Sequence, residues 1–256
     1  MPTSTTVSQG YFSTIRREPF LVGYWRLNDG AGAFDAADSG PNDLIGVYQT
    51  SQQLGPALIK NDSVAASSIF GAGAWLPSSN AGFQVSNVDQ LQLLLTGGLT
   101  LEAWVVPYQV NLTCHLLGKL NSAGTKAAPY ALRLVAGVLQ LAIGNGTTEA
   151  TLTLGTPPLG TPSHVVATSF RGKMMIYLNG VLVVAGSLGA QAVGYAEQSF
   201  YAGAIGTVSP FVGLMSEVAV YTGALSAVRV ARHYSVGQQV YVDPAHYLGV
   251  DPPVLT

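Results

Sequence analysis

Along the middle of the chain, hydrophobic and polar positions alternate with a period of two. The stretch from Ser163 to Ala185, SHVVATSFRGKMMIYLNGVLVVA, reads as three consecutive antiparallel strands. His164, Val166 and Thr168 alternate with Val165, Ala167 and Ser169, which gives the first strand two unlike faces. Arg171 and Gly172 turn the chain, and Met174, Ile176 and Leu178 then alternate with Met175, Tyr177 and Asn179. Val181 to Ala185 is wholly apolar. Asn179-Gly180 lies between the last two strands, and because both residues accept positive φ at low steric cost, the pair predicts a two-residue hairpin turn.

The same reading extends in both directions. Phe20 to Leu27, Leu44 to Tyr48, Ser68 to Leu76, Leu99 to Val106, Leu112 to Leu120 and Tyr130 to Val135 read as strands. Val138 to Ile143 and Ala150 to Leu154 form a hairpin around Gly144-Asn145-Gly146, and Phe200 to Ile205 and Leu214 to Tyr221 follow the central meander. Gly71 and Gly73 mark an expected bulge or close backbone approach. Parity puts Glu102 and Trp104 on one face of their strand and Leu101, Ala103 and Val105 on the other. One helix is predicted: Ser226 caps it, Val228, Val230, Ala231 and Tyr234 fall at helical spacing, and Gly237 stops it. This pattern predicts an all-β protein, a two-sheet antiparallel β-sandwich or jelly roll with one short C-terminal helix. Residues 20–237 form the expected domain, flanked by an aperiodic arm over 1–19 that orders only by docking and a Pro-punctuated extended tail over 238–256.

Composition changes this picture at one point. Hydrophobic residues make up 48% of the chain and mean hydropathy is +0.33, ample for a core, but only 9% of residues are charged, against about 25% in a typical globular chain. Either the surface is neutral and polar, or partners in an assembly cover part of it. The net charge of -2 and the lack of any basic run argue against nucleic-acid binding. Cys114, the single cysteine, excludes an intrachain disulfide and reads as a small buried hydrophobe. The first residues lack a secretory pattern and no apolar run is long enough for a membrane helix, so a soluble protein without membrane insertion is expected, made inside a cell or stripped of its signal.

Five segments resemble the laminin-G-like branch of the concanavalin A-like lectin/glucanase superfamily. They are GYWRLNDG at Gly23 to Gly30, DSGPND with the following GVY from Asp38 to Tyr48, LTLEAWVVP at Leu99 to Pro107, HVVATSFRGKMMIYLNGVLV at His164 to Val183, and GLMSEVAVYTGALSAVRVARHYSVG at Gly213 to Gly237. The resemblance implies a jelly roll with one curved sheet whose concave side or rim binds glycans or protein. It also implies a candidate structural calcium site at Asp38, Asn42, Asp43 and Glu217. Ser216 stands where family members often carry Asp, and Pro162-Ser163 where an aromatic often precedes the His. Asp38, Asn42 and Asp43 read first as turn caps, since a hard cation needs several oxygen ligands and the Asp is lost at Ser216. No other cofactor is implied.

Catalytic patterns are missing from the sequence. A glycosidase needs two carboxylates flanking the scissile bond, yet Glu102 has Thr100 and Trp104 as same-face neighbours, and Glu217 has Met215 and Ala219. There is no G-x-S-x-G elbow, and His115, His164, His233 and His246 are scattered. His164 reads as a hydrogen-bonded packing residue. Among aromatics that could stack on sugars, Trp25 and Trp104 read as core, whereas Trp75, Tyr195 and Tyr108 are the candidate ligand contacts. These features predict a non-catalytic recognition and assembly module with protein partners, a homo-oligomeric state and an affinity for glycans. The expected setting is a virion, as a capsid decoration or fibre subunit, or another extracellular surface, and otherwise the cytoplasm. A free carbohydrate-binding lectin is the alternative, and a glycoside hydrolase the distant one.

Overall fold

A computed structural model describes residues 10–49, 54–60, 67–70, 82–93, 97–109, 113–195, 197–203 and 210–238. In chain order the elements are α1 (Tyr11–Ile15), β1 (Leu21–Trp25), β2 (Asp35–Ala36), β3 (Gly46–Tyr48), β4 (Leu54–Gly55), β5 (Ser67–Phe70), β6 (Phe83–Val85), β7 (Gly98–Pro107) and β8 (Cys114–Leu120). There follow β9 (Ala127–Val135), β10 (Val138–Gly144), β11 (Glu149–Leu154), β12 (Ser163–Phe170), β13 (Lys173–Leu178), β14 (Val181–Ser187), β15 (Phe200–Ala202), β16 (Gly213–Tyr221) and α2 (Ala227–Gln238). The strands make two antiparallel sheets. The first runs β14-β13-β12-β7-β16-β5-β4, with β1 also paired to β16, and the second runs β11-β10-β9-β8-β15-β6-β3-β2.

The meander is built as its pattern predicts. Asn179 and Gly180 take φ of 51° and 79°, the positive values that a tight hairpin turn requires. Alternation then sorts side chains between two cores. Leu99, Leu101, Ala103 and Val105 of β7 and Val165 and Ala167 of β12 enter the cluster between the sheets, where Trp25 packs with Phe83 and Phe200. Trp104, Val106 and Val166 point the other way, into a second cluster with Tyr11 and Ile15 of α1 and Val230 of α2. Both faces of β7 are therefore covered, and all ten of its residues are buried.

That second core is why residues 10–19 are ordered. Where the sequence predicts an aperiodic arm, Tyr11–Ile15 forms a one-turn helix docked on the first sheet. Five residues give too short a window for helical periodicity to be read. The C-terminal helix starts as predicted, with the Ser226 hydroxyl accepting from the Arg229 N–H, but it runs through Gly237 to Gln238 where the sequence predicts Gly237 to stop it. Cys114 is a buried free thiol, and burial pushes its pKa up to about 12. Gly71, Gly73 and Trp75 lie outside the described residues. Among the described residues, no helix is long and apolar enough to cross a membrane.

Candidate functional site

Three of the four residues considered for calcium, Asp38, Asn42 and Glu217, already hold hydrogen-bond partners. The Asp38 carboxylate accepts three backbone N–H groups, from Tyr24 at 2.8 Å and Gly40 at 2.7 Å through Oδ1 and from Leu44 at 2.8 Å through Oδ2. Asn42 donates to the Val22 carbonyl at 2.7 Å. Asp43 sits at φ 54°, a left-handed turn position that Asp tolerates. Glu217 is buried at a β-bulge of β16, where its carboxylate accepts from the Tyr24 hydroxyl and from Arg26 Nη2 at 3.1 Å. Among the described residues, no three His, Cys, Asp or Glu side chains gather as a metal-holding group. A calcium ion held by Asp38 and Glu217 would compete with three backbone amides and a guanidinium for the same carboxylate oxygens.

The aromatic candidates separate cleanly. Trp25 and Trp104 are fully buried, as the alternation requires. Tyr108 is 49% exposed at the end of β7, and Tyr195 is 50% exposed in the segment before β15. Tyr195 has a built setting. Its hydroxyl accepts from Asn87 Nδ2 at 3.1 Å, and Asn87 Oδ1 in turn accepts from Lys119 Nζ at 2.6 Å and Gln92 Nε2 at 2.9 Å. Lys119 also donates to the Gln198 carbonyl at 2.6 Å, and burial pulls its pKa down to about 8. A half-exposed ring thus stands at the rim of the second sheet, with its hydroxyl aimed by an amide that a buried cation holds still. The sequence singles out Tyr195 but not its partners, because Asn87 and Gln92 come from one distant stretch of the chain and Lys119 from another.

A second polar cluster lies beneath the helices, and sequence parity saw only one member of it. Glu102 of β7 is 0% exposed. Oε1 accepts from the Tyr11 hydroxyl at 2.7 Å and contacts His164 Nε2 at 2.8 Å, Oε2 accepts from the Tyr221 hydroxyl at 2.7 Å, and His233 Nδ1 lies 3.1 Å from both oxygens. The far side of the His233 ring reaches Glu18 Oε1 at 3.2 Å, and Glu18 pairs with Arg229. Burial opposes the charge on Glu102, yet the neighbouring His233 and the hydrogen bonds from both histidines hold its carboxyl well below the usual range. Burial likewise disfavours a charged His233, but the Glu102 and Glu18 carboxylates override it and raise its pKa to about 9. The strand partners of Glu102 in register are Val166 and Ala219, so nothing within a few residues of it announces the cluster. His164 is a hydrogen-bonded packing residue, tilted on Trp104 and stacked with Tyr234.

The outer face of the second sheet carries a cross-strand row, His115 opposite Arg133 and Arg133 opposite Gln140. Arg133 donates to Gln140 Oε1 at 2.6 Å and pairs with Glu149. His115 is buried with neither ring nitrogen bonded, and burial, then the Arg133 charge, lower its pKa to about 4.

The laminin G model described as the concanavalin A-like lectin/glucanases superfamily matches residues 77–231, more than half of the chain. No curated protein matches. Among solved structures, the binding domain of paraclostridial mosquitocidal protein 1 aligns with a TM-score of 0.62 at 11% identity, covering 84% of this chain and 52% of that one. A botulinum neurotoxin type C structure, whose cell entry is described as dependent on two ganglioside molecules, aligns at 0.65 and 11% identity over 86% and 52%. The binding domain of botulinum neurotoxin DC in complex with rat synaptotagmin II aligns at 0.63 and 12% identity over 85% and 52%. The chain spans about half the length of these solved chains, and at such identities the likeness is one of fold.

Proposed function

Because the chain belongs to the concanavalin A-like lectin/glucanase superfamily, we propose that it is a non-catalytic recognition and assembly module that takes a glycan at the Tyr195 platform. The observation that carries this reading is the half-exposed Tyr195 ring, fixed through Asn87 by Lys119 and Gln92. A sugar ring offers an apolar C–H face for stacking and hydroxyls at its edge, so an exposed phenol beside a positioned amide matches both. The order of the amide is supplied before the ligand arrives, which lowers the entropic cost of binding. Ganglioside and synaptotagmin binding by the structural neighbours supports a glycan or protein partner for this chain.

The two carboxylates that the strand pattern offers for catalysis are out of reach of a substrate. Glu102 and Glu217 are buried beneath the helices and saturated by donors, so neither can reach a glycosidic bond. The charged fraction of 9% favours a surface partly covered in an assembly, and a homo-oligomeric virion subunit displayed at an extracellular surface is the setting we propose. A free lectin is the second reading, favoured by the neurotoxin neighbours.

A glycan array probed with the full chain and with Tyr195→Ala tests the platform. Binding by the parent that Tyr195→Ala loses, at an unchanged Tm, supports it, whereas an array silent for the parent overturns it. For assembly, the solution mass of the full chain is compared with forms trimmed before Gly10 and after Gln238. Trimming at Phe20 would remove Tyr11 and Glu18 from the cluster under the helices and test folding instead.

A further inference from the structure

The chain has only 11 Lys and Arg residues, and three of them line one cavity. It lies where α1 and the turn after it meet α2, has a volume of about 490 Å³, and is lined by Thr14, Arg17, Glu18, Val228, Arg229 and Arg232. Three guanidinium groups and one carboxylate belong to the lining, in a protein whose net charge is -2. The carboxylate is itself occupied, since Glu18 contacts His233 on its inner side and pairs with Arg229 on its outer side.

We infer that this cavity binds a small ligand bearing an oxyanion group, a carboxylate, sulfate or phosphate carried on a body of saccharide size. Guanidinium forks match the geometry of such groups and bind them bidentately. Arg carries five N–H donors, more than the Glu18 carboxylate can take from Arg229, so Arg229 is held in place with donors to spare. The contact orders a long side chain in advance and reduces what a ligand must immobilise. The volume falls within the range of small-molecule pockets, and Val228, 79% exposed at the rim, offers an apolar surface for the uncharged part of a ligand. The cavity belongs to the helix-covered side of the first sheet, whereas Tyr195 stands at the rim of the second, so this inference does not depend on the Tyr195 reading.

The test is calorimetric titration of the full chain with N-acetylneuraminic acid, galactose 6-sulfate, glucose 6-phosphate and neutral glucose. Saturable binding of at least one acidic probe is expected, with glucose bound at least about tenfold more weakly. Arg17→Gln and Arg232→Gln, which leave the Glu18–His233–Glu102 contacts in place, should each weaken that binding about tenfold, Arg17→Gln without shifting Tm, while Tyr195→Ala should not change it. Preference among the three probes identifies the oxyanion. Binding of no acidic probe, equal binding of glucose, or affinity retained in the double variant Arg17→Gln/Arg232→Gln overturns the inference. If the double variant misfolds, the parent is titrated at rising salt, where affinity that does not fall also overturns it.

Discussion

Replacing Glu102 with Gln tests the polar cluster that fastens α1 and α2 to the first sheet. The substitution keeps volume, so no cavity term arises, but it removes the charge that four donors address. His233 then lies buried against Glu18 alone, and one amide hydrogen must oppose a hydroxyl or ring N–H. Removing one partner of a buried, hydrogen-bonded pair costs about 3–5 kcal/mol, a large share of a typical stability of about 5–15 kcal/mol. The sign of the pH dependence follows from His233. Its folded pKa of about 9 lies above the ordinary 6.5, so its contribution is complete below pH 6.5 and is lost as pH rises through 9. At 1.36 kcal/mol per unit that is about 3 kcal/mol. Lys119, with a folded pKa of about 8 against 10.5, pulls the opposite way at higher pH. The quantity to read is therefore the difference between the parent and His233→Gln. Equilibrium urea unfolding, followed by tryptophan fluorescence across this range, should show that difference shrinking by about 3 kcal/mol between pH 6.5 and 9. A difference constant with pH, or Glu102→Gln as stable as the parent, refutes the reasoning.

Three further outcomes are expected. Asp38→Ala leaves three amide N–H groups without their acceptor, costing about 2–4 kcal/mol, and calcium should raise the Tm of neither parent nor variant; a calcium-dependent rise in the parent would contradict the committed-oxygen account. His115 has a folded pKa of about 4, below the ordinary 6.5, so stability falls as pH drops from 6.5 toward 4 because the unfolded chain takes up the proton first. His115→Leu should flatten that acid limb by up to about 3 kcal/mol in denaturant titrations. Cys114, buried with its pKa at about 12, should resist a thiol reagent at neutral pH in the folded protein and react fully in denaturant.

What the sequence discloses follows the range of the interactions. Alternation over Leu99 to Val106 is a local signal, and it assigns Leu101, Ala103 and Val105 to the inter-sheet core and Trp104 to the other face. Asn179-Gly180 is equally local and specifies its turn by backbone sterics alone. The cluster at Glu102 is the opposite case, because its partners Tyr11, His164, Tyr221 and His233 are 91, 62, 119 and 131 residues away. No spacing rule joins positions so distant, and same-face neighbours along β7 gave only Thr100 and Trp104. Tyr195 stands out in the sequence only as an aromatic outside the core strands, whereas Asn87 and Lys119, which orient it, become neighbours only when β6, β8 and β15 pair. The helix at Tyr11–Ile15 owes its order to burial of Tyr11 and Ile15 against the sheet, a tertiary effect that intrinsic propensity does not carry.

The proposal that this chain binds a sugar without cutting it is tested most directly by one paired measurement. A glycan captured by the parent is titrated calorimetrically into parent and Tyr195→Ala, and each sample is then assayed for new reducing ends. The account predicts saturable binding by the parent, at least about tenfold weaker binding by Tyr195→Ala, and no new reducing ends in either sample. Reducing ends accumulating with the parent, or equal affinity in both proteins, would contradict it.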